Sequence, residues 1–146
     1  MRTLEDAIVL AATAHKGAKD KAGAPYILHP LRVMLRLSTV EDRITAVLHD
    51  VVEDCPGYSL ERLREEGYSE AVVEAVDSVT RRPSEDYNTF ILRAGANSIG
   101  ARVKYADLDD NADLSRIASP VERDFARKRK YEDAKALLRS LKAPTA

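Results

Sequence analysis

Cysteine is nearly missing from this chain. Cys55 is the only one among 146 residues, so no disulfide can form within the chain, and a cytoplasmic location is expected. Charge of one sign is lacking as well. The formal net charge is −1, which offers no overall attraction to nucleic acid, and no nucleic-acid partner is expected. The one basic cluster, Arg123, Arg127, Lys128, Arg129 and Lys130, reads as a solvated helix face. No apolar run is long enough to span a membrane, and no signal-peptide segment follows Met1-Arg2-Thr3, so no membrane partner is expected either. Repeats, low-complexity tracts and Gly/Ser linkers are absent. No stretch alternates with period two for long enough to make a strand. Histidine is scarce: His15, His29 and His49 are the only three.

What remains is 45% hydrophobic and 32% charged, the balance of a soluble globular protein. The length suits one domain over 1–146, with a core from about 4 to 141 and a frayed tail over 142–146. Thr3 can cap a first helix from Leu4 to about Lys16, with Asp6 as capping-box partner and Gly17 at its end. Pro30 suits a first helical turn and puts His29 at the entrance of a second helix running through Val33, Met34 and Leu37. Glu41 or Asp42 opens a central helix that Cys55-Pro56-Gly57 stops. Ser59 and Ser69 cap two more. Tyr87 to Ala94, the stretch after Ala96-Asn97-Ser98, and the segment from Pro120 to Leu141 complete an all-α chain of about seven or eight helices. Apolar helix faces would serve a homo-oligomer as readily as a core.

The central helix carries the densest chemistry. Ile44, Val47, Leu48, Val51 and Val52 recur at helical spacing and mark one buried stripe. At about 100° per residue the stripe lies roughly opposite His49, Asp50 and Glu53. That polar face, completed by Asp54, has no Lys or Arg, so its like charges need a compensating partner, and a cation is the simplest. A divalent ion would use His29, His49, Asp50 and one more acid from a distant helix. Mixed nitrogen and oxygen ligands suit Mn²⁺, Fe²⁺, Co²⁺ or Zn²⁺ better than Mg²⁺ or Ca²⁺. The segment Lys104 to Asn111 can supply the acid, but spacing alone does not choose Asp107 over Asp110; Asp109 and Asp113 read as solvated. Cys55 has no evident histidine or acid partner and reads as a small residue at a helix end.

His29, then His49-Asp50, then Asp107 resembles the H…HD…D signature of the HD superfamily of metal-dependent phosphohydrolases. Gly23-Ala24-Pro25-Tyr26-Ile27-Leu28-His29-Pro30-Leu31, Ala46 to Asp54 and Val103-Lys104-Tyr105-Ala106-Asp107 are similar to the hydrolase domain of RelA/SpoT homologues, including the stand-alone small alarmone hydrolases. The similarity runs from about Ala7 to Tyr131. It implies an all-α fold and one Mn²⁺ held by His29, His49, Asp50 and Asp107. It further implies Glu53 and Asp54 as the acids that orient and deprotonate water and assist the leaving group, with Lys21, Asn111 and Tyr131 against a nucleotide substrate. The implied reaction is removal of pyrophosphate from the 3′ position of (p)ppGpp. Alarmone synthesis is not expected, because the chain ends where the family's synthetase domain would begin.

Four positions depart from the family pattern. Asp20 stands where an arginine stacks on guanine, Leu108 replaces the arginine of the ADRxHN segment, and Leu114 replaces a threonine. Asp110 takes the place of that segment's histidine. These departures touch base recognition and leave the metal and acid residues whole. Two alternatives therefore stand beside the alarmone reading: hydrolysis of another phosphorylated nucleotide, such as the 2′-phosphate of NADPH or a 3′-phosphorylated adenosine nucleotide, and a metal- or nucleotide-binding module without turnover. Lys21, Lys104, Arg93 and Arg127 are the cations that remain to neutralise a pyrophosphate.

Overall fold

The computed structural model describes residues 1–141. The tail expected to fray, 142–146, lies outside the described residues. Nine helical segments follow one another: α1 Leu4–Ala14, α2 Leu28–Leu35, α3 Val40–Leu48, α4 Val51–Asp54, α5 Leu60–Glu65, α6 Glu70–Ser78, α7 Tyr87–Gly95, α8 Ser98–Ala112 and α9 Glu122–Leu141. Among the described residues no strand forms, and the one β-like contact is an isolated bridge between Lys19 and Pro25. None of these helices is long and apolar enough to cross a membrane.

Short polar side chains set most of the helix starts. The Thr3 hydroxyl accepts from the Asp6 amide while Asp6 accepts from the Thr3 amide, a complete capping box. Thr39, Ser59, Ser69, Asp86 and Asn97 each accept an amide three residues ahead, satisfying donors the helix itself leaves open.

The expected central helix is two helices. Its hydrophobic rhythm continues from Ile44 to Val52, but the backbone ladder breaks at His49-Asp50. His49 N–H reaches only Ala46 O at 3.4 Å, and regular bonding resumes with Asp54 N–H to Asp50 O at 2.9 Å. Counted as one interrupted helix, α3 and α4 bring the total among the described residues to eight, within the expected seven or eight. Nor does His49 face solvent: it is 2% exposed, because α2 and α8 pack across what the periodicity marks as the polar side.

Two apolar clusters share α8. Val103 and Ala106 join the larger one with Ala7, Val33, Val47, Leu48, Val51, Val73 and Val76. Leu108 joins Phe90, Ile91, Ala134 and Leu138 in the smaller one. Burying these side chains contributes roughly 1.5–3 kcal/mol each for the larger ones. At Gly100 an added Cβ would stand 2.0 Å from Ser78 Oγ, so only glycine lets α8 approach α6 this closely. A two-pronged pair from Arg102 to buried Asp42, at 2.7 and 3.0 Å, ties α8 to α3. The helix that carries the third signature segment is thus fixed on both sides of the core.

Candidate metal centre and cleft

Three backbone elements aim four side chains at one point. The turn Pro25–Leu28 delivers His29 into the first turn of α2, where Pro30 needs no amide acceptor. The break after α3 turns His49 and Asp50 inward, and α8 supplies Asp107. His29 Nε2 lies 2.9 Å from Asp107 Oδ1 and 3.8 Å from Asp50 Oδ2. His49 Nε2 lies 3.3 Å from Asp107 Oδ1 and 3.1 Å from Asp50 Oδ2. His29, His49 and Asp50 offer ligand atoms all within 4.8 Å of one another. Bonds of about 2.0–2.2 Å to a shared ion put neighbouring ligand atoms about 3–3.5 Å apart. His29, His49 and Asp50 therefore sit at spacing that fits one divalent metal, and Asp107 Oδ1 adjoins both imidazoles as a fourth donor.

The other atoms of these residues are already committed, which fixes their orientation. His49 Nδ1 donates to Ala46 O at 2.6 Å, leaving Nε2 to face the cluster. His29 Nδ1 faces Asp110 Oδ2 at 2.7 Å. The Asp110 carboxylate is in turn gripped by Arg32 Nε and Nη2 at 2.9 and 3.1 Å, with Arg116 Nη2 at 3.4 Å. Tyr26 Oη donates to Asp50 Oδ2, Lys104 Nζ to Asp107 Oδ2 at 2.9 Å, and Asn111 Nδ2 to Asp107 Oδ1 at 3.1 Å. Carboxylate or carbonyl partners on the far nitrogen of a ligating histidine are a recurrent feature of metal sites, since they set the tautomer and raise ligand basicity.

Electrostatics agree with the geometry. Burial opposes charge on His49, yet Asp50 and Asp107 outweigh it and lift the imidazole well above its ordinary value. Burial likewise opposes charge on Asp107, and Lys104 and His49 hold the carboxyl well below the usual range. Asp110 is lowered against its burial by His29 and Arg32. The cluster thus favours positive charge at its centre, whether it comes as protons on imidazoles or as an ion.

Glu53 and Asp54 sit on the single turn of α4, beside Asp50; the three acids offer oxygens within 4.8 Å of one another. Burial first, then the neighbouring Asp50 and Glu53, push the Asp54 carboxyl up to about 6. Burial also raises Glu53, although its Oε1 accepts the Arg81 amide at 2.7 Å. Both acids are raised, and Asp54, next to a metal-competent cluster, can exchange a proton near neutral pH.

Two cavities meet at this centre and share Tyr26, His29, Asn111 and Tyr131. One, of about 320 Å³, is lined by Lys21, Ala22, Leu114, Ile117 and Arg127 among others. The second, of about 530 Å³, holds the acid pair together with Arg81, Tyr87, Lys104 and Lys130. The structure therefore brings together His29, His49, Asp50, Asp107, Glu53, Asp54, Asn111 and Tyr131, with Lys21 on the outer rim.

Several expectations need correction. Arg93 is not a free cation: it is bound to Glu85 and to the carbonyls of Asp77 and Thr80. The basic stretch of α9 is not wholly a solvated face, since Arg127 and Lys130 turn into the cleft. Cys55 does have a histidine partner, its Sγ lying 3.4 Å from His15 Nδ1. Burial raises the thiol and lowers the imidazole, so the pair is a packed contact and not an activated nucleophile. Asp20 does not confront a ligand with a bare charge. Its Oδ1 accepts the amides of Ala22 and Ala24, both at 2.9 Å, and so closes the 19–25 loop. Leu108 is fully buried, so it belongs to the smaller apolar cluster and not to the cleft.

Comparison with known proteins bears on the same residues. A family model described as an HD domain matches residues 7–98. The guanosine-3′,5′-bis(diphosphate) 3′-pyrophosphohydrolase of Haemophilus influenzae is 36% identical over 85 residues, 56% of this chain and 12% of that protein. The protein of the same description from Aquifex aeolicus is 32% identical over 120 residues, 74% of this chain and 17% of that one. A GTP pyrophosphokinase of Streptomyces coelicolor is 39% identical over 85 residues, 56% of this chain and 10% of that protein. The chain thus spans less than a fifth of the length of these relatives.

Proposed function

The chain belongs to the HD-domain family, and on that premise we propose that it is a metal-dependent phosphohydrolase whose substrate is (p)ppGpp, cleaved at the 3′ position to release pyrophosphate. One observation carries the reading: two imidazoles and two carboxylates converge at ligand spacing directly beside an acid pair of raised pKa. The naming of two similar proteins as 3′-pyrophosphohydrolases supports the substrate. The whole chain is read as one hydrolase domain acting in the cytoplasm.

In this reading His29, His49, Asp50 and Asp107 hold the ion, and the mixed donor set favours Mn²⁺. What the ion supplies when bound is polarisation of a phosphoryl oxygen and a lowered pKa for water, from about 15.7 toward about 7. Asp54, with a carboxyl near 6, is largely ionised at neutral pH and takes a proton from the attacking water. Glu53, held toward the site by the Arg81 amide, orients that water and relays the proton that Asp54 has taken to the ribose oxygen as the phosphorus–oxygen bond breaks. A positioned base or acid of this kind contributes about 10²–10⁴ in rate. Phosphoryl transfer asks mainly for positioning and charge neutralisation, so no covalent nucleophile is needed. Lys21 and Tyr131 line the wall that receives the nucleoside, and Asn111 holds Asp107 while bordering both cavities.

A second reading has its own observation. In the smaller cavity Ala22, Leu114 and Ile117 form apolar wall, and Asp20 Oδ1 is occupied by its own loop, so no arginine at position 20 stacks on a guanine there. Another phosphorylated nucleotide, NADPH or a 3′-phosphorylated adenosine nucleotide, would suit that wall. The test is turnover of ppGpp, NADPH and a 3′-phosphorylated adenosine nucleotide with Mn²⁺, using Glu53→Gln as control. Equimolar pyrophosphate and GDP from ppGpp supports the first reading, and preference for another nucleotide supports the second. Binding without product from any of them returns the protein to a non-catalytic module.

A further inference from the structure

The wall of the larger cavity around Tyr87 and Phe90 gathers positive charge that the described residues neutralise only in part, through the Lys104–Asp107 pair. Lys130, from α9, places Nζ 4.0 Å from the centre of the Tyr87 ring. Arg81, from the loop between α6 and α7, places its guanidinium carbon 5.5 Å from the centre of the same ring. Lys104, from α8, stands over the adjoining Phe90 ring at 4.8 Å while it bonds Asp107. Tyr87 and Phe90 are themselves in edge contact. Three helices and a loop thus converge three cations on one pair of aromatic rings.

The partners of these cations set them apart from the charges around them. Arg82, next in sequence, pairs with Asp77. Arg127, one turn before Lys130, pairs with Asp124. Among the described residues neither Arg81 nor Lys130 makes an ion pair with a carboxylate; the Arg81 guanidinium donates only to Glu85 O, at 3.2 and 3.0 Å. Burial, and then Arg81, Lys104 and Arg127, hold the Lys130 ammonium below its ordinary value. A cation–π contact offsets part of the cost of such a cluster, about 0.5–2 kcal/mol for each ring, and leaves the mutual repulsion. A ligand with several negative charges would remove it.

We propose that Arg81 and Lys130, collected on the Tyr87 ring, form with Lys104 a subsite for the pyrophosphate that leaves the nucleotide. The assignment rests on the phosphohydrolase reading above. Position favours the leaving group over the nucleotide's own 5′-diphosphate. These cations share their cavity with Glu53 and Asp54, where the bond breaks, while the smaller cavity with Lys21 and Arg127 lies on the other side of His29 and Asn111. The carboxylates of Asp50, Glu53 and Asp54 face the same space, so a departing anion is repelled from them toward Lys130 and Arg81. The subsite would draw the developing charge away from the metal centre and give the product an exit.

The test is calorimetric titration of the full chain, at one fixed free Mn²⁺ concentration, with inorganic pyrophosphate and separately with GDP. Lys130→Gln and Arg81→Gln should each weaken pyrophosphate binding about tenfold, the usual size for a lost charge-assisted contact. GDP binding should stay within about twofold, and Lys130→Arg should keep most of the pyrophosphate affinity. Unchanged thermal midpoints show that the variants fold. Pyrophosphate binding indifferent to both substitutions overturns the subsite, and so does a loss that falls on GDP instead, which would assign the cations to the 5′-diphosphate. The titration needs no turnover. A chain that binds pyrophosphate through Lys130 but hydrolyses no nucleotide keeps the subsite and loses the hydrolase reading; turnover with indifferent pyrophosphate binding does the reverse.

Discussion

The two sides of the metal centre treat charge in opposite ways. Beside His29, three acids are each answered by an arginine: Asp110 by Arg32 and Arg116, Asp113 by Arg116, Asp124 by Arg127. Beside Asp50, apart from the Lys104–Asp107 pair, charges stand separated: among the described residues Glu53 and Asp54 have no cation partner, and Arg81 and Lys130 no carboxylate. A fully paired network holds geometry, because each member has one low-energy place. An unpaired set shifts pKa values and waits for a ligand or a proton. The first side therefore reads as the support that orients the ligands, and the second as the place where chemistry happens.

That contrast can be broken at graded cost. Glu53→Gln removes proton transfer and leaves every ligand in place. Turnover should fall about 10²–10⁴-fold, while Mn²⁺ affinity from a metal titration stays near wild type. Asp110→Asn attacks the paired side instead. It takes the negative charge from behind His29 Nδ1 and from the grip of Arg32, so Mn²⁺ affinity should fall about 10–100-fold, with turnover at saturating metal largely preserved. A turnover loss that excess Mn²⁺ fails to restore would place Asp110 in the chemistry and erase the distinction between the sides.

Asp54→Asn gives a smaller and opposite signal. The folded-state carboxyl is raised from 3.8 to about 6, so its contribution to stability is present below about pH 4 and lost as pH rises through about 6. At neutral pH the ionised form is a burden that the amide lacks. The variant should be more stable by about 1 kcal/mol, discounted for the group's exposure, and its denaturation midpoint should depend less on pH between 4 and 6. Its activity should drop, and the acid limb of the wild-type pH–rate profile should disappear. The smallest effect belongs to Lys21→Gln at the exposed rim, where losing one screened charge should raise KM about threefold and leave kcat unchanged.

Much of the site is legible in the sequence because it lies in short motifs. His29 before Pro30, His49-Asp50 with Glu53-Asp54, and Asp107 at the end of a Lys-Tyr-Ala-Asp run each announce themselves within a few residues. The caps at Thr3, Ser59 and Ser69 are equally local. The break at His49 is not legible, since Val51 and Val52 continue the same apolar rhythm and hide the change of direction that turns His49 inward. Choosing between Asp107 and Asp110 also required the fold. Both lie on buried faces of α8, and only the position of His29 shows that one meets Nε2 and the other Nδ1. One signal was available: Arg32, three residues after His29 and so on the same helix face, marks a place for a carboxylate. The pairing of His15 with Cys55 and the meeting of Arg81 with Lys130 span distances in the chain over which no local pattern operates.

The central claim is that four side chains from three helical segments make one metal site, distinct from the acids beside it. Equilibrium Mn²⁺ binding by the metal-stripped chain tests it most directly, comparing wild type with Asp107→Asn and Glu53→Gln. One Mn²⁺ per chain is expected, with an affinity lowered at least about a hundredfold by Asp107→Asn and little changed by Glu53→Gln. No stoichiometric binding by the wild type, or equal losses in both variants, would contradict it.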